Sequence, residues 1–296
     1  MKKHTFSAYF FIVFRYFQRF FVPLPSDMVH DAININGSLF SLAHPRVMAI
    51  INATPDSFAF SCTNIAEADF LAAAGLALNQ GADILDIGAC STRPGAVVVD
   101  ESEEWRRLEI ALSAIRKAFP DAVLSVDTFR SSIARRAVEQ FGVRIINDIS
   151  GGEDPDMFAT VAQLQVPYIL THSQQLQSGR PVTEQVLDFL VRQADKLHRL
   201  GVRDVVIDPG FGFEKNVSQN YELLAHLADL KLAQLPILVG ISRKSMIYKV
   251  LNVTPQSDAA LHGTLVAQMM ALAAGANILR VHDVAAAKLI LKHFEK

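Results

Sequence analysis

Eight short apolar runs recur along this chain, and nearly every one stops on a residue with polar chemistry to offer. They are RVMAIIN (46–52), DILDIG (83–88), AVLSVD (122–127), VRIIND (143–148), PYILTH (167–172), VVID (205–208), PILVGIS (236–242) and NILRVH (277–282). Segments of helical spacing separate them, at 66–80, 101–119, 130–141, 155–165, 183–200, 217–230, 259–274 and 285–294. The runs are nearly continuous rather than alternating, as in strands buried on both faces. Eight strands alternating with helices predict a single (β/α)8 TIM barrel, which typically takes about 250 residues. A doubly wound open sheet is the rival, disfavoured by the count of eight and by the lack of a glycine-rich turn after the first run. In a barrel the site lies at the carboxyl ends of the strands, so the residues that end these runs are the candidates.

Composition agrees with a large buried core: 50% of residues are apolar and 20% charged, with a net charge of −2. Lys and Arg are dispersed, which argues against a nucleic-acid groove but not against a basic pocket for a small anion. The two cysteines, Cys62 and Cys90, make no disulfide framework and are read as reduced thiols. Residues 1–27 form an aromatic-rich extension, and the barrel domain is expected over 28–296. Within the extension, Arg15 and Arg19 interrupt the stretch 5–22, leaving it too short for a membrane span of about 20 residues. It is read as lying outside the fold; an interfacial helix touching a membrane and a signal peptide are the alternatives. The segment NINGSLFSLAHPR suggests a hairpin turning at Asn36-Gly37.

The strand ends carry chemistry in a definite order. Asn52 opens the loop after the first strand; its amide oxygen suits a hard cation such as Mg²⁺, although taken alone it reads first as a turn cap. After the second strand, Ser91, Thr92 and Arg93 before Pro94-Gly95 can grip an anion or form a solvated turn. Asp127, Asn147-Asp148 and Asp208 end the third, fourth and sixth strands. Two carboxylates and an amide arriving from three strands suit the amino and N–H groups of a heterocycle, though one Asp could cap a helix. The seventh strand leads into Gly240-Ile-Ser-Arg-Lys-Ser245, and the eighth gives Arg280-Val-His282. Arg243, Lys244, Arg280 and His282 make that half of the mouth cationic, where barrels often bind phosphate. The unaided reading is a pocket with an acidic-amide half and a basic half, for a nitrogen-rich ring joined to phosphate or diphosphate.

The segments NATPDSF, STRPGA, SVDT, INDISGG, DPGFGF, GISRKS and RVHDV, in this order over about 46–284, resemble dihydropteroate synthase. The resemblance implies condensation of 6-hydroxymethyl-7,8-dihydropterin diphosphate with 4-aminobenzoate to give 7,8-dihydropteroate and diphosphate. By position, Asp127, Asn147 and Asp208 would hold the pterin edge, with Lys244 on its carbonyl side. Asn52, through Mg²⁺, together with Arg280 and His282 would bind the diphosphate. Thr92 and Arg93 would sit in a mobile second loop, Phe58 in a closing first loop, and Ser245 near the aminobenzoate carboxylate. Pro94 and Phe213 would wall the aminobenzoate channel, and Gly240 would line the substrate pocket. A cytoplasmic homodimer, joined through the last helices, and sulfonamide binding are further implications. The chain departs from the family pattern at Ala89-Cys90, at 59–62 and at His172-Ser-Gln-Gln, all in loops. Those departures bear on loop closure and sulfonamide sensitivity. A pterin-dependent methyltransferase is the runner-up, with no need of the Ser-Arg-Lys-Ser and Arg-x-His pair; a pterin-binding paralogue without activity is a third reading.

Overall fold

In the computed structural model, which describes residues 32–52, 67–89 and 99–294, the expected strands form one parallel sheet. After a hairpin of β1 (Ala32–Ile35) and β2 (Ser38–Ser41), the barrel begins with β3 (Arg46–Asn52), α1 (Glu67–Asn79), β4 (Ile84–Gly88) and α2 (Glu101–Ala118). It continues with β5 (Leu124–Asp127), α3 (Ser131–Phe141), β6 (Ile145–Asp148), α4 (Met157–Leu164), β7 (Tyr168–Thr171) and α5 (Val182–Arg199). Then come β8 (Val205–Asp208), α6 (Val217–Ala225), β9 (Leu238–Val239), α7 (Ser245–Leu251), α8 (Asp258–Ala273), β10 (Ile278–Val281) and α9 (Val284–Leu291). The sheet order is β8-β7-β6-β5-β4-β3-β10-β9, and a parallel bridge from Ile207 to Ile237 joins its two ends. The fold is the expected (β/α)8 barrel.

Two apolar cores follow from the two-residue period of strands. Outward residues such as Val47, Leu85, Val126, Ile146, Leu170, Ile207 and Leu279 pack against the helices. Inward residues one step away, Met48, Ile84, Ile145, Ile169, Val206, Leu238 and Ile278, fill the base of the barrel. Ile33 and Leu42 of the hairpin close that base from below, and burying each is worth about 1.5–3 kcal/mol. Two residues further along the same inward faces the side chains turn polar: Asp86, Asn147, Thr171, Asp208 and Arg280. The apolar layer is the floor on which the polar layer stands.

Local rules account for most boundaries. Asn36 and Gly37 both hold positive φ, 53° and 83°, as a two-residue hairpin turn of the right twist requires. Gly81, at φ 93°, ends α1 with Ala82 N–H bonded to Ala77 O, the expected left-handed stop. Three elements differ from expectation. The seventh strand keeps only Leu238–Val239, because Pro236 has no N–H for the ladder and the Ile237 N–H goes to the Asn277 side chain at 2.9 Å. The segment after it, expected as loop, folds into the short helix α7, which buries its own Met246 and Ile247. The helix expected over 217–230 stops at Ala225, and a 3₁₀ segment, Leu227–Ala233, takes over. The expectations for 1–27, for the loop holding Phe58 and Cys62, and for Cys90, Thr92, Arg93 and Pro94 lie outside the described residues.

Candidate active site

Register brings the strand tips to one level. Asn52 pairs with Gly88, Gly88 with Asp127, and Asp127 with Asn147. Gly88 matters here because a Cβ would stand 3.4 Å from Asp127 Cβ and 3.6 Å from Asn52 Oδ1. Gly88 thus lies between those two side chains, which flank it at the rim. Across the barrel a Cβ at Gly240 would sit 3.8 Å from Asp208 Oδ2 and 3.9 Å from Arg280 Cβ. Gly240 therefore leaves open the space between the Asp208 carboxylate and the stem of Arg280.

Arg280 ties three strands together. Its Nε donates to Asp86 Oδ2 at 2.6 Å, and an Nη donates to Asp127 Oδ2 at 2.5 Å. Asn147 Nδ2 donates to the same Asp86 oxygen at 3.0 Å. Asp86 is fully buried, Asn147 is 1% exposed and Asp127 8% exposed. Burial pushes the Asp127 carboxyl up to about 7, against the pull of Arg280, because a charge out of water is costly. The guanidinium is itself held firmly protonated by Asp86 and Asp127 despite its burial.

Asp208 accepts from Gly210 N–H at 2.8 Å, and burial raises its carboxyl above the usual range while Lys244 opposes the shift. Lys244 donates to Phe211 O and lies 4.4 Å above the Phe213 ring. Burial lowers its ammonium to about 8. Gly212 makes that position accessible: at φ 82°, its Cβ would press on Lys244 Cδ at 2.9 Å. Ser245 begins α7 beside Lys244 and is half-buried, as is Phe213. His282 lies at the exposed rim, its N–H and Nδ1 at 3.2 and 3.0 Å from Ser242 Oγ.

Asp127, Asn147, Asp208, Gly240, Lys244 and Arg280 thus surround one mouth, with Asn52 and His282 on its edge. Two expectations need correcting. The mouth is not divided into an anionic flank and a cationic flank: Arg280 stands between two carboxylates, and Lys244 faces Asp208. Neutralising pairs allow such charge density to be buried at all. Arg243 is no part of it. With φ 52° it turns away, forks onto both Asp283 oxygens at 2.7 and 2.8 Å, and donates to Pro255 O at 2.7 Å. Asp148 also serves the scaffold, taking the Ser150 and Gly152 N–H groups and the Tyr168 hydroxyl.

Two participants escaped the sequence reading. Asp86 lies mid-strand, and its only signal was its place between Ile84 and Gly88 on the inward face. Lys215 is buried and spans four acceptors: His172 Nδ1 at 3.0 Å and the carbonyls of His172, Gly210 and Phe213 at 3.1–3.2 Å. It thereby pins the loop after β8 to the end of β7. Burial lowers Lys215 to about 7. Burial, with Lys215 alongside, takes His172 down to about 3, so its neutral ring accepts the ammonium proton. No local pattern announces such a tie, because its partners are 43 residues apart.

Fold and site together define a (β/α)8 barrel with a cluster of buried charged and amide side chains at the carboxyl ends of its strands, where such barrels carry their active sites. The family model for pterin binding enzymes matches residues 48–282. The chain is 40% identical over 261 residues to the dihydropteroate synthase of Escherichia coli, covering 84% of this chain and 90% of the relative. It superposes on Xanthomonas albilineans dihydropteroate synthase with 4-aminobenzoic acid at a TM-score of 0.82 and 35% identity, over 90% and 97% of the two chains. The same enzyme in complex with 7,8-dihydropteroate gives a TM-score of 0.80 and 34% identity, over 89% and 97%. This chain belongs to the pterin-binding enzymes, and among them to the dihydropteroate synthase family.

Proposed function

We infer that this chain joins 6-hydroxymethyl-7,8-dihydropterin diphosphate to 4-aminobenzoate, releasing diphosphate and 7,8-dihydropteroate, as a transferase of folate synthesis. The observation that carries this reading is the buried Asp86–Arg280–Asp127–Asn147 network facing Asp208 and Lys244 across one mouth, in a chain of this family. Asp208 and Asn147 offer acceptors to the ring's amino and N–H groups, and Lys244 offers a donor to its carbonyl. Arg280 and His282 face the leaving diphosphate and offset the charge that grows as the C–O bond breaks. The electron-rich dihydropterin can carry the resulting cationic methylene, so departure precedes attack. The aminobenzoate nitrogen then bonds to the methylene carbon and sheds a proton, with no strong base required. Phe213 walls the aminobenzoate channel, and Ser245 lies toward its carboxylate.

Among the described residues no group of three His, Cys, Asp or Glu side chains is placed to hold a metal. That fits a Mg²⁺ carried by the diphosphate and held from the protein by the single neutral oxygen of Asn52, since Mg²⁺ keeps substrate phosphate and water ligands. Bound there, Mg²⁺ would neutralise phosphate charge as a Lewis acid. A homodimer forms through α6, α7 and α8, whose outer faces expose Tyr221, Val250, Leu251, Val266 and Met270. Sulfonamides, which resemble 4-aminobenzoate, compete for the Phe213 side of the mouth. Among the described residues no helix is long and apolar enough to cross a membrane, in keeping with work in the cytoplasm.

The test is incorporation of radiolabelled 4-aminobenzoate by the purified chain, with the pterin diphosphate and Mg²⁺. Labelled dihydropteroate is expected, and its formation stops with EDTA. Pterin binding without product would support an inactive paralogue instead. Turnover only with a methyl donor would support the methyltransferase.

A further inference from the structure

Asp86 sits at the middle of β4, faces the interior and is fully buried. It touches neither rim nor solvent, yet one of its oxygens, Oδ2, serves both Asn147 Nδ2 at 3.0 Å and Arg280 Nε at 2.6 Å. A guanidinium only donates, so the oxygen it faces carries no proton to give. Whatever part of Asn147 turns toward that oxygen must be its NH₂ end. Reversing the amide would set Asn147 Oδ1 against a carboxylate oxygen and forfeit a charge-assisted bond. Packing could not make this choice, because the two ends of an amide have nearly the same shape. The other end, Asn147 Oδ1, is buried and has no partner among the described residues. A buried acceptor without a donor is costly, and the mouth is where a donor can arrive.

We propose that Asp86 is a specificity-determining positioning residue: by fixing the Asn147 amide it makes the pocket present an acceptor, and so selects a ring edge that carries an amino group. This rests on the pterin reading given above and deepens it. The 2-amino group of a pterin supplies the missing donor to Oδ1. A 2-oxo ring of the same shape, a lumazine, brings a carbonyl oxygen against Oδ1 instead. Specificity then arises from repulsion as much as from attraction.

Calorimetric titration of the purified full chain with 6-hydroxymethylpterin and with 6-hydroxymethyl-lumazine tests the proposal. Wild type is expected to prefer the amino ring. In Asp86→Leu, which keeps the approximate shape but offers no oxygen, nothing holds the NH₂ end inward and Asn147 can turn over. The preference ratio is then expected to fall about tenfold or more, the scale of one buried acceptor left unpaired. In an Asn147→Ala background the same substitution is expected to leave the ratio where it stands. An undiminished ratio in Asp86→Leu overturns the proposal. A wild-type chain that binds neither ring overturns the pterin reading and the proposal with it. A wild type that binds pterin without preferring it overturns the proposal alone. If Asp86→Leu does not fold, neutron diffraction on the wild-type pterin complex decides. Deuterons on the Asn147 atom facing Asp86 and Oδ1 against the 2-amino group support the proposal, and the reversed amide overturns it.

Discussion

Replacing Arg280 by Met keeps much of the side-chain volume and deletes the cation shared by two carboxylates. The guanidinium lies 2.6 Å from Asp86 and 2.5 Å from Asp127, and neither carboxylate has more than 8% of its surface exposed. Removing one partner from such a buried arrangement costs about 3–5 kcal/mol. The loss depends on pH in a definite direction. Asp127 already sits at about 7 with Arg280 present, well above the ~3.9 of a free carboxyl. A raised folded pKa contributes stability that is complete below the free value and lost as pH climbs through the folded one. In Arg280→Met the Asp127 pKa rises further, because burial is then unopposed by the guanidinium. Below about pH 7 Asp127 is neutral in both folded proteins, and the stability gap is flat. Above it the wild type has released its proton while the variant has not, and the gap widens by up to ~1.4 kcal/mol per pH unit. Urea melts of both proteins at pH 6, 7, 8 and 8.5 measure this. Parallel stability curves over that range would refute the burial argument for Asp127. Turnover should fall as well, by about 2.7–4 kcal/mol of transition-state stabilisation or roughly 10²–10³-fold in kcat, if Arg280 faces the leaving diphosphate. Near-normal turnover would sink that assignment.

Three further perturbations probe the scaffold. Gly210→Ala places a Cβ 1.9 Å from the His172 carbonyl oxygen at φ 71°, so a loss of at least ~3 kcal/mol or failure to fold is expected; an unchanged melting temperature would contradict it. Lys215→Met frees the loop carrying Phe213 and should raise KM for 4-aminobenzoate more than for the pterin diphosphate. Because Lys215 sits at about 7 in the folded chain against ~10.4 unfolded, wild-type stability gains from this group as pH rises through that window. The variant should lose that gain of up to ~1.4 kcal/mol per unit; urea melts at pH 7 and 9 check the slope. Val266→Glu puts a charge on the exposed apolar face of α8. It should leave a monomer by sedimentation, whereas a wild type already monomeric would remove the dimer proposal.

Much of this molecule was legible in its residue order because the signals are local. Eight apolar runs separated by amphipathic spacing specify the barrel, and polar residues ending those runs name its mouth, since successive side chains along a strand alternate in direction. Asn36-Gly37 and Gly81 declare their turns by the conformations only such residues adopt easily. Asp127, Asn147, Asp208, Lys244 and Arg280 could be picked out in the same way.

Other features came from contacts between distant segments. Arg243 and Arg280 look alike in sequence, but the first is claimed by Asp283 and the second by Asp86 and Asp127. Asp86 hid inside an apolar run, and Lys215 inside a loop, because their worth comes from partners 61 and 43 residues away. Residue order alone determined that a barrel forms and which strand tips crowd its mouth, because period and propensity act over a few neighbours. Only the closed barrel decided which charges neutralise one another and which way Asn147 points. Desolvation and hydrogen-bond direction exist only once the strands have met.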